Sequence, residues 1–275
     1  MGGTEASVIR VANGLSSLGH TVRIVFEPEQ WGDVTIVVRD PNGLGKIKGP
    51  KVLWMHDYLT FGDISQDHQK LAKQATVVAV SDFHKANVDV FLNTKSKRIY
   101  NPVCVGVPYD DTKQKRAVIL SSPCKGLETS LEVFAAMDRS ARLAIFNPGY
   151  EMGATINTKR VQSLGSKCHQ EAMRHLAGSS LLIHANRGFP ETFGLVFAEA
   201  KALGVPVLTF DHGAAREVLG EFGSCMPLDT SIKDMAKEGD RLMRTPHRPN
   251  PGIFDPEDIA REWQTLLTEL TTAGH

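Results

Sequence analysis

Short apolar segments alternate with amphipathic helical segments along most of the chain. Residues 4–18 carry apolar side chains at helical spacing, Gly19 ends this helix, and residues 21–26 form an apolar segment that predicts a strand. The further strands predicted in this half are residues 34–38, 51–56, 76–80 and 98–100, and the further helices are residues 66–74 and 82–92. Such alternation is typical of a parallel α/β sheet.

The pattern restarts after a polar segment, residues 105–116, whose composition predicts an interdomain linker. The second half predicts strands at residues 118–120, 142–146, 181–184 and 206–208, and helices at residues 127–137, 170–177, 194–203, 231–243 and 256–270. We therefore expect two Rossmann-like α/β domains facing a cleft, residues 1–106 and 107–254, followed by a C-terminal helix in residues 255–275. Ligands of such sheets bind at the carboxyl ends of the strands.

The overall composition narrows the class of protein. The 31 basic and 31 acidic residues balance, so charge does not indicate a nucleic-acid partner. No apolar run is long enough for a transmembrane helix, and no signal peptide is visible. The four cysteines are scattered and form no C-x-x-C pair, as expected of a reduced cytoplasmic protein.

Two glutamates, Glu191 and Glu199, flank the predicted start of a helix at Gly194. The first amides of that helix, from Gly194, Leu195 and Val196, favour an anion such as a diphosphate. Glu199 lies one to two turns into the helix, where it can accept hydrogen bonds from a ribose diol, and Glu191 can reach sugar hydroxyls beyond the phosphates. The alternative is that both are ordinary solvated residues, one in a loop and one on a helix.

Several other site patterns are missing from the sequence. The G-x-G-x-x-G fingerprint is absent, which argues against a dehydrogenase, and no G-x-S-x-G elbow is present. No D-x-D stretch and no cluster with zinc spacing occur, so we expect neither a metal ion nor another cofactor.

The segment of residues 189–207, FPETFGLVFAEAKALGVPV, resembles the E-x7-E signature of family 4 glycosyltransferases, which are retaining enzymes of the GT-B fold. The resemblance covers nearly the whole chain and also rests on Gly2-Gly3-Thr4-Glu5, Gly19-His20-Thr21-Val22, Asn101-Pro102-Val103, Lys125-Gly126-Leu127 and Gly213-Ala214-Ala215-Arg216-Glu217-Val218. It implies a hexosyl-type transferase of class EC 2.4, a nucleotide diphosphate sugar as donor, and no need for a metal. It also implies that the final helix packs back on the N-terminal domain.

The resemblance assigns roles to individual residues. Lys125 would pair with the donor diphosphate and stabilise the charge on the leaving nucleotide. His56 would lie close to the donor sugar and Glu191 would orient that sugar, which makes Glu191, His56 and Lys125 the expected catalytic residues. The expected donor-binding residues are Glu199, Phe193, Gly194, Leu195, Val196, Ser121, Ser122, Gly2, Gly3 and Glu217.

The chain departs from the family pattern at two places. The loop S-S-P-C-K-G, residues 121–126, lacks the usual arginine and resembles a subset with an S-S-P-x-K/R-G loop, in which Ser121 and Ser122 would supply hydroxyls. Family members begin with a hydrophobic strand before the glycine loop, whereas Met1 directly precedes Gly2, so we expect an N-terminal domain reduced by one strand.

The sequence leaves three functions open. The first is a glycosyltransferase whose acceptor is a glycan, a lipid or a small molecule, with peripheral contact at the inner face of a membrane as a further expectation. The second is an inactive nucleotide-sugar-binding module, and the third is a GT-B epimerase of sugar nucleotides. The intact Glu191, Glu199 and Lys125 favour the enzyme over the inactive module.

Overall fold

The computed structural model describes residues 2–27, 29, 31–146, 156–250 and 252–272, and the chain divides into two compact units. Unit 1 comprises Met1–Val103 and Ile253–His275, and unit 2 comprises Cys104–Gly252. Each unit is an α/β structure built on a parallel sheet, which confirms the fold class predicted from the alternating pattern.

Unit 1 contains a four-stranded parallel sheet in the order β1-β2-β3-β4. Its strands are β1 (Thr35–Val38), β2 (Lys51–Trp54), β3 (Thr76–Ala79) and β4 (Lys97–Arg98), and its first helices are α1 (Gly3–Ser17), α2 (Gln66–Ala72) and α3 (Asp82–Leu92). The side chain of Ser81 caps α3 by accepting the amide N–H of His84, and Asn93 ends α3 in the left-handed conformation. The ends of these strands and helices lie within two residues of the predicted ends, and a 3-10 helix, Pro41–Lys46, was not predicted.

The strand predicted at residues 21–26 is wrong, because this segment has no regular structure. Its side chains are exposed, and Phe26 is fully so. A strand needs a neighbour to pair its backbone N–H and C=O groups. In the described part of the chain no strand pairs with this segment, and β1 pairs with β2 alone. The apolar pattern of residues 21–26 was therefore not sufficient to form a strand.

Unit 2 contains a six-stranded parallel sheet in the order β10-β9-β8-β5-β6-β7. Its strands are β5 (Gln114–Ile119), β6 (Arg142–Phe146), β7 (Val161–Gly165), β8 (Ser179–His184), β9 (Val207–Phe210) and β10 (Gly223–Met226). Its helices are α4 (Leu127–Ala136), α5 (His169–Ala177), α6 (Leu195–Ala202), α7 (Ala215–Leu219) and α8 (Ile232–Arg244). The edge strands β7 and β10 and the short α7 were not predicted, because the edge strands are only partly buried and lack an apolar run.

The centre of this sheet places two loops side by side. Leu181, Leu182 and Ile183 of β8 are fully buried, as expected of a parallel strand covered on both faces. Strand β8 pairs with β5, so the loops that follow these two strands leave the same edge of the sheet. β5 begins earlier than predicted, since residues 114–116 of the expected linker belong to it.

The final helix, α9 (Pro256–Thr272), belongs to unit 1. Trp263 of α9 is fully buried, and its ring lies 4.9 Å edge-on from that of Trp54. A Cβ added at Gly14 of α1 would lie 2.6 Å from Cβ of Ala260, so the two helices pack closely at this glycine.

Unit 1 also buries a histidine. The Nδ1 atom of His84 accepts the amide N–H of Val80 at 3.3 Å, and Nε2 donates to the carbonyl oxygen of Asp57 at 2.9 Å. Burial lowers the pKa of His84 to about 4. Between this value and the ordinary value of about 6.5, the unfolded chain binds a proton that the folded chain does not.

We expect the free energy of unfolding to fall as the pH drops below about 6.5. Because His84→Gln removes this proton uptake, its loss of stability between pH 7.5 and 5 should be about 2 kcal/mol smaller than that of the wild type. Urea unfolding at the two pH values measures the difference. Leu92→Ala, which weakens the same helix without removing a titrating group, should keep the wild-type pH dependence. An unchanged dependence in His84→Gln would contradict the assignment.

Candidate active site

Two glycines open the helices that follow β5 and β8. Gly126 precedes α4 with φ +81°, and Gly194 precedes α6 with φ +78°, a region that side chains other than glycine rarely adopt. The predicted helix start at Gly194 is confirmed. Both helix N-termini therefore lie at the sheet edge where α/β proteins bind ligands, and their first amides have no partner within the helix.

Close backbone contacts hold the loops of this edge together. A Cβ added at Gly126 would lie 2.3 Å from the carbonyl oxygen of Ala185 in the loop after β8. A Cβ added at Gly213 would lie 2.4 Å from the carbonyl oxygen of Glu191, which also accepts the amide N–H of Ala214 at 2.8 Å. The backbone of Glu191 is thus fixed by a loop that follows β9.

The carboxylate of Glu191 lies between two nitrogen-bearing side chains. Lys125 Nζ lies 2.7 Å from Glu191 Oε1, and His184 Nε2 lies 3.4 Å from the same oxygen. The side chain of Glu191 is 13% exposed. Its burial alone would raise the pKa of Glu191, but His184 and Lys125 outweigh that effect and lower it to about 2. Glu191 is therefore ionised at neutral pH despite its burial.

His184 connects this pair to the loop after β5. Ser121 Oγ lies 2.5 Å from His184 Nδ1, and the imidazole ring packs edge-on against Phe197 at 4.9 Å. The sequence predicted His184 only as the last residue of a strand. The signal that could have found it is a polar residue at the carboxyl end of a buried parallel strand, where ligands of α/β sheets bind.

The second glutamate of the motif has a different partner. Glu199 is buried in α6, and its Oε1 lies 2.8 Å from Nε2 of His169, the first residue of α5. The side chain of His169 is half-exposed. His169 was also missed by the sequence analysis, which began this helix one residue later. The motif thus presents two separate carboxylate pairs, Glu191 with Lys125 and Glu199 with His169.

The remaining predicted residues of unit 2 lie around these pairs. Ser122 is buried, and its carbonyl accepts the amide N–H of Lys125 at 2.9 Å. Leu195 and Val196 are partly buried in the first turn of α6, and Glu217 lies in the first turn of α7. Phe193 is 1% exposed and therefore belongs to the buried core.

Three predicted residues lie in unit 1. Gly2 caps α1, which begins at Gly3. His56 follows β2 and is buried, with its ring centroid 4.6 Å from that of Trp54. Burial lowers the pKa of His56 to about 3, so the ring is neutral at physiological pH.

Two negative findings apply to the described residues. Within them, no three His, Cys, Asp or Glu side chains are grouped so as to hold a metal ion. Nor does any helix of the described segments have the length and apolar character needed to cross a membrane.

A comparison with protein families identifies the domain that carries this site. The family model described as glycosyl transferases group 1 matches residues 117–245, which lie within unit 2 and contain Lys125, Glu191 and Glu199. Residues 117–245, which match this model, are called the group 1 domain below. A search of curated protein sequences finds no match to this chain.

Solved structures of similar fold extend over both units. HepE from Anabaena, solved in complex with UDP and glucose, has a TM-score of 0.69 and 17% identity over 98% of this chain and 96% of HepE. AviGT4, a glycosyltransferase involved in avilamycin A biosynthesis, has a TM-score of 0.69 and 17% identity over 99% of this chain and 91% of AviGT4. A glycosyltransferase from Rickettsia africae has a TM-score of 0.70 and 15% identity over 98% and 95% of the two chains. The fold is GT-B, and the group 1 domain is its second unit.

The contact at Gly126 gives a test of how the group 1 domain is assembled. In Gly126→Ala, a methyl group would lie 2.3 Å from a backbone oxygen, so the loop after β8 must move. We expect the free energy of unfolding to fall by about 2–4 kcal/mol, measured by denaturant unfolding.

Gly106→Ala is the matched control, because Gly106 also has a positive φ but no atom within 4 Å of an added Cβ. Its free energy of unfolding should fall by only about 1 kcal/mol, from the strain of a side chain at positive φ. Equal losses in the two variants would show that the contact between the loops does not matter for stability.

Proposed function

We propose that this protein is a retaining glycosyltransferase that moves a hexose from a nucleotide diphosphate sugar to an acceptor hydroxyl, without a metal ion. The observation that carries the proposal is the buried, ionised Glu191 held against Lys125 at the N-terminal edge of α4 and α6 in a group 1 domain. This edge combines fixed negative charge for sugar hydroxyls with a lysine and helix amides for phosphate.

In this proposal the donor lies along the two helix N-termini. The amides of Gly194, Leu195 and Val196 and the ammonium group of Lys125 bind the diphosphate, and the cation offsets the charge that develops on the leaving nucleotide. Glu199, buried one turn into α6, accepts hydrogen bonds from the ribose. The side chain of Lys125 is 42% exposed, so it can turn from Glu191 towards a phosphate.

Glu191 orients the sugar. Lys125 and His184 both approach its Oε1 atom, so the second carboxylate oxygen is the one offered to a sugar hydroxyl. In unit 1, we assign the neutral ring of His56 the role of a hydrogen-bond donor to a sugar, and the amides of Gly2 and Gly3 that of phosphate ligands. These three roles rest on the family resemblance.

A glycan, a lipid or a small molecule would each supply the attacking hydroxyl, and the proposed location is the cytoplasm or the inner face of a membrane. The neighbour HepE was solved with UDP and glucose and, separately, with UDP-glucose, which makes a uridine diphosphate sugar the first donor to test.

Turnover of a panel of nucleotide sugars tests the reaction. Glu191→Gln and Glu199→Gln should each lower the rate of sugar release or transfer roughly 10²-fold, because each substitution removes a charged contact to the donor. Mass spectrometry measures the products, and Glu132→Gln, which neutralises an exposed glutamate of α4, should keep the wild-type rate. Wild-type rates in both site variants would contradict the assignment.

The same assay separates the other parts of the proposal. A transferred sugar with the anomeric configuration of the donor, and a rate unaffected by a chelator, are the expected results. An inverted product or loss of the rate with the chelator would contradict retention or metal independence. Epimerised donor without transfer would identify an epimerase, and binding without turnover would identify an inactive module.

A thermal-shift screen with nucleoside diphosphates tests the donor site independently of catalysis. A ligand that binds only the folded chain at about 100 times its Kd stabilises it by about 2.7 kcal/mol, which raises the midpoint. We expect one base to raise the midpoint, and the shift to shrink in Lys125→Met because the phosphate loses its cation. No shift with any nucleotide, or the same shift in Lys125→Met, would contradict the site.

A further inference from the structure

We propose that His184 is a positioning residue that fixes the carboxylate of Glu191, and that the hydroxyl of Ser121 sets the orientation and tautomer of its ring. This inference rests on the proposed function, because it assigns His184 a task in holding the sugar-orienting glutamate. It also gives Ser121 a different task from the donor contact that the sequence suggested.

For the neutral form of His184, the geometry favours one tautomer. A neutral imidazole has one N–H donor and one acceptor nitrogen. The ionised carboxylate of Glu191 can only accept, so Nε2, 3.4 Å from Glu191 Oε1, must carry the proton. Nδ1 is then the acceptor, and Ser121 Oγ, 2.5 Å away, must donate to it.

Ser121 is therefore committed to His184. While His184 holds this tautomer, the hydroxyl proton of Ser121 points at Nδ1 and is not available to a donor phosphate. The chain Ser121–His184–Glu191 runs from the loop after β5, through the end of β8, to the loop before α6. It ties the two loops of the site together through side chains, as Gly126 and Ala185 do through the backbone.

His184 is suited to a fixed role and Lys125 to a mobile one. The side chain of His184 is 2% exposed, whereas that of Lys125 is 42% exposed. The ring of His184 packs against Phe197, and the backbone carbonyl of His184 accepts a hydrogen bond from the hydroxyl of Thr209 at 2.9 Å. When Lys125 turns to the diphosphate, His184 is the contact that remains on Glu191 Oε1.

Few charges act on this carboxylate. The titratable groups that face Glu191 are Lys125, from the loop before α4, and His184, from β8. Removing the imidazole N–H therefore leaves the buried carboxylate with Lys125 alone, which favours protonation and a looser side chain.

Two substitutions separate the N–H donor from the packing of the ring. His184→Phe keeps a ring against Phe197 and removes the donor, whereas His184→Gln places an amide N–H near the position of Nε2. We expect His184→Phe to lower kcat about 10-fold with a donor KM changed by less than about threefold. The acid limb of its kcat–pH profile should move to higher pH by about one unit, and His184→Gln should recover most of both effects.

Ser121→Ala tests the orienting hydroxyl and should lower kcat by less than His184→Phe does. Melting temperatures of all variants check that each is folded. Wild-type kcat and pH profile in His184→Phe would overturn the proposal. Equal losses in His184→Phe and His184→Gln would also overturn it, because they would assign the effect to packing alone.

Nuclear magnetic resonance tests the contact without requiring turnover. The carboxyl ¹³C signal of Glu191 should titrate at higher pH in His184→Phe than in the wild type, and ¹⁵N signals should show the proton of His184 on Nε2. If the wild type turns over no nucleotide sugar but these signals behave as expected, the proposed function fails and the contact stands. If the Glu191 titration is the same in both proteins, the positioning role fails whatever the activity.

Discussion

The ionised carboxylate of Glu191, buried against Lys125 and His184, is the interaction on which the rest of the site depends. Moving a carboxylate out of water costs several kcal/mol unless partners replace the lost hydration. Here a cation at 2.7 Å and an imidazole at 3.4 Å approach the same oxygen, and the pKa of Glu191 falls although burial opposes it. The surrounding loops must therefore keep both partners in place.

The backbone conformation of these loops keeps Lys125 and His184 in place around Glu191. At Gly126 and at Gly213, one loop approaches the backbone of another loop more closely than a Cβ atom would permit. Gly194 turns the chain into α6 just after Glu191. These contacts join loops that follow three different strands of the unit 2 sheet. A buried carboxylate needs little further support when the loops around it are fixed in this way.

Much of this could be predicted from the sequence because the signals are local. Buried parallel strands such as β8 read as apolar runs, and glycine at a helix start predicts a left-handed turn. The strand predicted at residues 21–26 was wrong because pairing is not local, and no strand pairs with this segment in the described chain. His184 and His169 were missed for the same reason, since each meets its glutamate through the tertiary fold.

A double-mutant cycle between Lys125 and Glu191 tests the central claim most directly. Lys125→Met, Glu191→Gln and the double variant are compared by the free energy of unfolding without ligand. We expect the double variant to lose less stability than the sum of the two single losses, because Lys125→Met alone leaves the buried carboxylate with only His184. Additive losses would show that the two side chains do not interact in the unliganded protein and would contradict the buried ion pair.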